Sequence, residues 1–210
     1  TQKEQIFNAM TQVILKCQTE VRSAVWLNSI TQLISRVEQP LKMEQYLFEF
    51  IKIAVQYYPQ PAFWHLMSVK HSTTTQTKKQ KFMAIISKVS NSLPSDRLMK
   101  FNELMNRFDK ITDGLINLGK TNTGSSKLKQ AQASMICSPL AQACNGSKVL
   151  LPLSRTLVIQ SNSPAFKDPS KFECSPSIEL MEDDITIFSS LQRPKKINLR
   201  GSDGKSYHFL

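Results

Sequence analysis

Apolar residues recur at helical spacing along the first half of the chain. In residues 3–21 the series Ile6, Met10, Val13 and Cys17 steps by three or four residues, so these side chains share one face of a helix. The same spacing predicts further helices over residues 24–37, 41–57, 62–69, 79–93 and 95–118. Helices of this length joined by short polar links are typical of an antiparallel helical repeat, or α-solenoid.

The helical spacing is lost after about residue 118. Residues 119–148 are rich in Gly, Ser, Asn, Gln and Ala, and we predict a linker or a weak helix there. Short apolar runs follow at 149–153, 157–159 and 185–188, and their composition indicates strands. The chain is therefore predicted to be mainly α, followed by a small antiparallel β segment, with strand only after about residue 148.

The clearest strand signal lies in residues 192–210. Ile197 and Leu199 alternate with polar residues, residues 201–204 read Gly-Ser-Asp-Gly, and aromatic residues alternate with polar ones beyond them. Alternation on both sides of a glycine-containing turn predicts a β-hairpin.

Two parts of the sequence resemble one kinase family. Residues 193–197, Arg-Pro-Lys-Lys-Ile, followed by Gly-Ser-Asp-Gly-Lys at 201–205, are similar to the start of the small lobe of the phosphatidylinositol-3-kinase-related protein kinases. Residues 29–36 and 58–64 have the order and spacing of the helical domain before that lobe, which narrows the resemblance to the ATR checkpoint kinases. The implied domains are the C-terminal part of the helical FAT domain, a linker or weak helix, and an incomplete kinase N-lobe, at residues 1–118, 119–148 and 149–210.

The resemblance also implies a nucleotide site. In the related kinases a Ser-x-Gln-x-Pro turn covers the ATP phosphates, which gives that role to Ser190 and Gln192. Pro194 and Leu210 match positions beside the adenine. The turn contains no glycine, so its residues alone would not reveal a phosphate site.

The groups that carry out phosphoryl transfer are not found among these residues. The reaction needs a lysine, a base and carboxylates that hold magnesium, and in the related kinases they follow the strand that ends at Leu210. Residues 182–184, Glu-Asp-Asp, are interpreted as a solvated acidic turn, and we assign no catalytic or metal-binding residue. We expect a kinase fragment that alone is inactive and binds ATP and Mg²⁺ weakly, although both are implied as cofactors of the intact enzyme.

The implied enzyme is a nuclear serine/threonine protein kinase that modifies Ser or Thr before Gln in the DNA-damage and replication-stress checkpoint. Its implied partners are the remainder of the kinase polypeptide, its protein substrates, and a regulatory subunit of the ATR-interacting type that binds regions outside these residues. Thr75 fits the substrate preference within a polar run and is a predicted self-phosphorylation site. Thr31 also precedes Gln, but lies in a helix predicted to be packed.

The net charge of +11 supports an alternative, a non-enzymatic helical adaptor whose basic face binds acidic partners or nucleic acid. The lysines between residues 70 and 130 lie on amphipathic helices without interleaved aromatic residues. Such a pattern is typical of a solvated helix face, so direct DNA binding is not expected.

Other chemistry finds little support in the sequence. The four cysteines lack Cys-x-x-Cys spacing, so neither a zinc site nor a disulfide framework is predicted. The sequence contains no run of eighteen apolar residues, so no membrane partner is predicted.

Residues 114–121 match the Walker A pattern G-x-x-x-x-G-K-T. A working phosphate loop follows a strand and opens a helix, whereas helix is predicted before this match, so we interpret it as a chance match.

Overall fold

The computed structural model describes residues 2–36, 41–71, 76–122, 129–174 and 176–210. The chain forms two compact units, and each combines two separate stretches of sequence. The first contains residues 1–95 and 153–173, and the second contains residues 96–152 and 174–210. These edges do not coincide with residues 118 and 148, and the domain assignment made from the sequence stays a prediction.

Helices account for most of the described residues. In chain order they are α1 (Gln2–Glu20), α2 (Ser23–Asn28), α3 (Ile30–Ser35), α4 (Leu41–Tyr57), α5 (Pro59–Lys70), α6 (Gln76–Asn91), α7 (Ser95–Lys120), α8 (Ala133–Ile136), α9 (Ser138–Cys144), α10 (Ser154–Leu157) and α11 (Pro164–Lys167), with a 3-10 helix at Pro169–Cys174. In the part of the chain that the structure describes, no helix has the length and apolar character needed to cross a membrane.

The first unit is organised around α4. This helix packs against α2, α3, α5 and α6, and its residues Ile51, Ala54 and Val55 are completely buried. Because they lie at positions i, i+3 and i+4, they share one face of the helix, as the apolar spacing in the sequence predicts. Phe63 and Met67 of α5 are also completely buried, and Trp26 stacks on Phe50 with ring centroids 3.9 Å apart.

Three helix predictions in this unit were wrong in their bounds. Helix α6 covers Gln76–Asn91 rather than residues 79–93. The predicted helix 24–37 is interrupted at Ser29, which separates α2 from α3. Helix α5 begins at Pro59 rather than at residue 62, because proline in the first turn of a helix removes only an amide that has no partner within the helix. Thr31, expected to be packed, is exposed, and Thr75 lies outside the described residues.

Residues 153–173, called the strap here, pack on α2 and α5 within the first unit. Tyr58 donates a hydrogen bond from its buried hydroxyl to the Ala165 carbonyl at 2.8 Å, and its ring meets Phe172 edge to face. The predicted strand at 157–159 was wrong, since α10 ends at Leu157.

The second unit contains α7, α8, α9 and a five-stranded sheet. Gly114 of α7 lies so close to α9 that a Cβ there would be 2.8 Å from the Leu140 Cβ. The strand order is β1-β3-β4-β2, and β5 also pairs with β4. The strands are β1 (Gln130–Gln132), β2 (Ile178–Met181), β3 (Asp184–Ile187), β4 (Lys195–Gly201) and β5 (Ser206–Phe209), all paired antiparallel.

The predicted start of the strand region was also wrong. Strand β1 precedes residue 148, and it forms by pairing with β3. Residues 149–153 contribute only an isolated bridge between Leu150 and Ser177 rather than a strand, and β2 was not predicted.

The predicted hairpin is confirmed as β4 and β5. Ile197 pairs with Phe209 and Leu199 pairs with Tyr207. Gly204 takes a φ of 75°, a left-handed conformation that glycine adopts without steric cost. The predicted fold class, mainly α with a small antiparallel sheet, is thus confirmed.

Candidate functional site

The turn between β3 and β4 is closed by two backbone hydrogen bonds. Phe188 N–H donates to the Pro194 carbonyl at 3.0 Å, which extends the ladder between the two strands. Arg193 N–H donates to the Ser190 carbonyl at the same distance. Arg193 has a φ of 45°, so the chain reverses in a left-handed residue that is not glycine. Such positions carry backbone strain and concentrate at binding sites.

The predicted phosphate-contacting residues project from this turn. Ser190 and Gln192 are exposed, and Leu191 between them is fully exposed. Their hydroxyl and amide groups can donate hydrogen bonds to an anion. The structure therefore brings Ser190 and Gln192 together in one accessible turn.

Pro194 and Leu210 lie on the same face of adjacent strands. On one side of β4, Lys196 pairs with Thr186 of β3. On the other side, Ile197 pairs with Phe209 of β5. Because these strands are antiparallel, the next residue of β5, Leu210, lies opposite Lys196. Successive side chains alternate between faces, so Pro194, two residues before Lys196, shares its face. Leu210 is 81% exposed there.

The two faces of the sheet differ in polarity. Ile185, Ile187, Ile197 and Leu199 are buried on one face. The intervening positions, which include Thr186, form the opposite face, called the open face here. The predicted adenine neighbours Pro194 and Leu210 belong to the open face. The sequence indicated alternation in β4 and β5, but the relative placement of the strands required their register.

In the acidic turn at residues 182–184, Asp183 and Asp184 are exposed, as predicted, and Asp183 also accepts two hydrogen bonds. The Asp183 carboxylate accepts a hydrogen bond from Ser134 N–H at 2.8 Å, and the Asp183 carbonyl accepts one from Ala133 N–H at 2.7 Å. Asp183 thus satisfies amides in the first turn of α8, which have no partner within the helix. Glu182 lies 3.8 Å from Arg200 in an ion pair. No local sequence signal could have identified these long-range roles.

The Walker-like match at residues 114–121 lies almost entirely within α7, which ends at Lys120. Backbone amides inside a helix donate to carbonyls four residues earlier and cannot converge on a phosphate. Thr121 N–H, for instance, donates to the Asn117 carbonyl at 2.9 Å. The prediction that this match arises by chance is confirmed.

Two buried cysteines lie near the sheet in the second unit. Burial, with a smaller contribution from the neighbouring Cys137, raises the pKa of the Cys144 thiol to about 12. Burial also raises the pKa of Cys137. Since the thiolate is the reactive form of cysteine, both side chains remain unreactive thiols at neutral pH.

Residues 9–112 match a family described as serine/threonine-protein kinase ATR-like, HEAT repeats. The chain is 27% identical over its full length to serine/threonine-protein kinase ATR of Drosophila melanogaster. It is 26% identical over 96% of its length to protein kinase rad3 of Schizosaccharomyces pombe. The predicted resemblance to the ATR-like protein kinases is thus confirmed. It spans 9% of the Drosophila relative and 8% of the fission-yeast relative.

Solved structures support the fold of this ATR-like chain. An open conformation of CtTel1 superimposes with a TM-score of 0.73, covering 94% of the chain and 7% of the CtTel1 chain at 15% identity. The FAT and kinase domain of CtTel1 gives a TM-score of 0.66, covering 94% of the chain and 13% of the other at 14% identity. At such identities the likeness shows the fold alone.

Proposed function

We propose that this chain forms part of an ATP-dependent serine/threonine protein kinase, in which the β3–β4 turn covers the nucleotide. The observation that carries the proposal is the accessible turn holding Ser190 and Gln192, next to Pro194 and Leu210 on the open face. Four side chains matched to nucleotide positions by resemblance therefore occupy one end of the sheet formed by β3, β4 and β5, although Leu210 lies eighteen positions from Gln192 in the sequence.

In this proposal the chain binds and orients ATP rather than transferring phosphate. The Ser190 hydroxyl and the Gln192 side-chain amide donate hydrogen bonds to phosphate oxygens, and charged acceptors strengthen such bonds. Pro194 and Leu210 provide an apolar cover for the base and exclude water from it. When bound, Mg²⁺ supplies charge neutralisation of the phosphates. Its ligands, the catalytic base and the lysine belong to the rest of the polypeptide.

The helical unit has a supporting role in this proposal, since a catalytic site is held most accurately on rigid elements. We propose further that the intact protein phosphorylates Ser or Thr before Gln in the DNA-damage and replication-stress checkpoint, in the nucleus. Its partners would be its protein substrates and a regulatory subunit of the ATR-interacting type. Similarity to the ATR-like family supports these proposals.

The test uses the intact kinase and places a charged side chain where the adenine would lie. Leu210→Arg is expected to raise the KM for ATP at least tenfold with a Ser-Gln peptide as substrate, since the larger side chain replaces the apolar cover of the base and occupies part of its space. Met135→Arg is the matched control, because Met135 is 78% exposed in α8, outside the turn and the open face. An unchanged KM for ATP in the Leu210 variant would refute the proposed site.

A further inference from the structure

Strand β4 begins with two lysines that lie on opposite faces of the sheet. Lys195 pairs with Ile187, whose side chain is 2% exposed. The Lys195 Nζ lies 3.5 Å from the Gly119 carbonyl oxygen near the end of α7. A cation at the C-terminus of a helix interacts favourably with its free carbonyls and its dipole. The position of Lys195 is therefore explained by the fold.

Lys196 lies on the open face and has no such explanation. Among the residues that the structure describes, its ammonium group has no hydrogen-bond or ion-pair partner, although its neighbours on the same face of β4 do. Asn198 Oδ1 lies 2.6 Å from His208 Nδ1, and Arg200 pairs with Glu182. Lys196 is thus a half-buried cation that no described residue pairs with.

The register places Lys196 between the two predicted adenine neighbours. Leu210 follows opposite Lys196 on β5, where facing side chains are about 5 Å apart. Pro194 lies two residues back along β4, about 7 Å away at the usual rise of a strand. A flat base that contacts both Pro194 and Leu210 must extend diagonally from β4 to β5. Lys196 lies next to this diagonal, because it is opposite Leu210 and two residues from Pro194.

We propose that Lys196 is a nucleotide-contacting residue that binds the adenosine part of ATP. This inference rests on the proposed function of the turn. The methylene stem packs against the base, and the ammonium group attracts the π face of the ring or donates to a ring nitrogen or a ribose oxygen. Lys196 lies farther from the turn than Pro194, so it does not serve the terminal phosphates, which lie beneath Ser190 and Gln192.

The test compares Lys196→Met with Lys195→Met in the intact kinase. Methionine keeps much of the stem and removes the charge, and the two positions differ mainly in the face of β4 that they occupy. We expect Lys196→Met to raise the KM for ATP about three- to tenfold, the range for one polar or cation–π contact, with kcat unchanged. It should raise the inhibition constant of adenosine by a similar factor. Lys196→Arg should restore both values to within about twofold, because arginine retains the charge and the donors.

Lys195→Met is expected to leave the KM for ATP unchanged. Equal increases in KM in both lysine variants would indicate a general charge effect and overturn the assignment. A Lys196→Met variant that weakens ATP but not adenosine would place the ammonium group at the phosphates and also overturn it. If Leu210→Arg raises the KM for ATP and Lys196→Met does not, the proposed function stands and this inference fails. If neither change matters, the proposed site itself is wrong.

Discussion

The side-chain amide of Asn28 forms two hydrogen bonds with the backbone of Ile159. Asn28 Nδ2 donates to the Ile159 carbonyl at 2.8 Å, and Ile159 N–H donates to Asn28 Oδ1 at 2.9 Å. A single side chain thus satisfies both backbone groups of a residue that is 3% exposed. Buried backbone groups need such partners, and this pair ties the strap to the end of α2.

Removing this pair should destabilise the first unit. Asn28→Ala leaves both Ile159 groups without their partner, and we expect the free energy of unfolding to fall by about 1–2 kcal/mol. Urea unfolding of the chain measures the change, and limited trypsin digestion should show faster cleavage after Lys167. Asn91→Ala, at the exposed end of α6, is the matched control. Equal stability of the two variants would contradict a holding role for Asn28.

The stability of the first unit should depend on the protonation of His65. Burial lowers the pKa of His65, and a hydrogen bond to the Leu157 backbone partly offsets this effect. The folded chain therefore binds the proton less tightly than the unfolded chain, whose imidazole has a pKa near 6.5. The contribution of His65 to the free energy of unfolding is fully present above pH 6.5. It is lost as the pH falls through the lower pKa of the folded state.

His65→Gln should flatten this dependence, because glutamine does not titrate. Urea unfolding between pH 5 and pH 8 tests the expectation. The parent chain should lose more stability than the variant as the pH is lowered below about 6.5. Parallel curves for the two proteins would show that His65 is not the responsible group.

The two glycines of α7 should respond to alanine in opposite directions. Gly119→Ala meets no atom within 4 Å, so the better helix propensity of alanine should stabilise the chain by up to about 1 kcal/mol. Gly114→Ala would place a methyl group 2.8 Å from the Leu140 Cβ, and the resulting overpacking should destabilise it by about 1–3 kcal/mol. Thermal unfolding of both variants gives the signs directly, and stabilisation by Gly114→Ala would contradict the close packing of α7 on α9.

The chain by itself should not transfer phosphate. A kinase pocket lies between two lobes, and in the proposed site the residues of this chain cover one side of the nucleotide, so magnesium-ATP should bind weakly in a calorimetric titration. Lys120→Ala should leave that binding unchanged, because the Walker-like residues belong to α7. Measurable turnover of a Ser-Gln peptide, or micromolar binding that depends on Lys120, would contradict this expectation.

The sequence by itself determined the elements whose signals are local. The predicted bounds of helix 41–57 agree with α4, because its apolar positions keep helical spacing throughout. The β4–β5 hairpin followed from alternation on both sides of the Gly-Ser-Asp-Gly turn, since alternation and turn residues act over only a few positions. Nearby residues carried the resemblance from which a nucleotide-binding role was predicted for Ser190, Gln192, Pro194 and Leu210.

Only the tertiary structure decided the elements and roles that depend on distant partners. The residues Gln-Ala-Gln of β1 have weak strand preference, and they form a strand because β3 offers its edge. Residues 157–159 have a β-rich composition, but they pack in the strap, where Asn28 satisfies the backbone of Ile159. The adjacent residues Lys195 and Lys196 are both lysines, so the sequence alone does not distinguish them. The register of β4 with β3 and β5 directs one to the α7 terminus and the other to the open face, because strand pairing sets which neighbours each side chain meets.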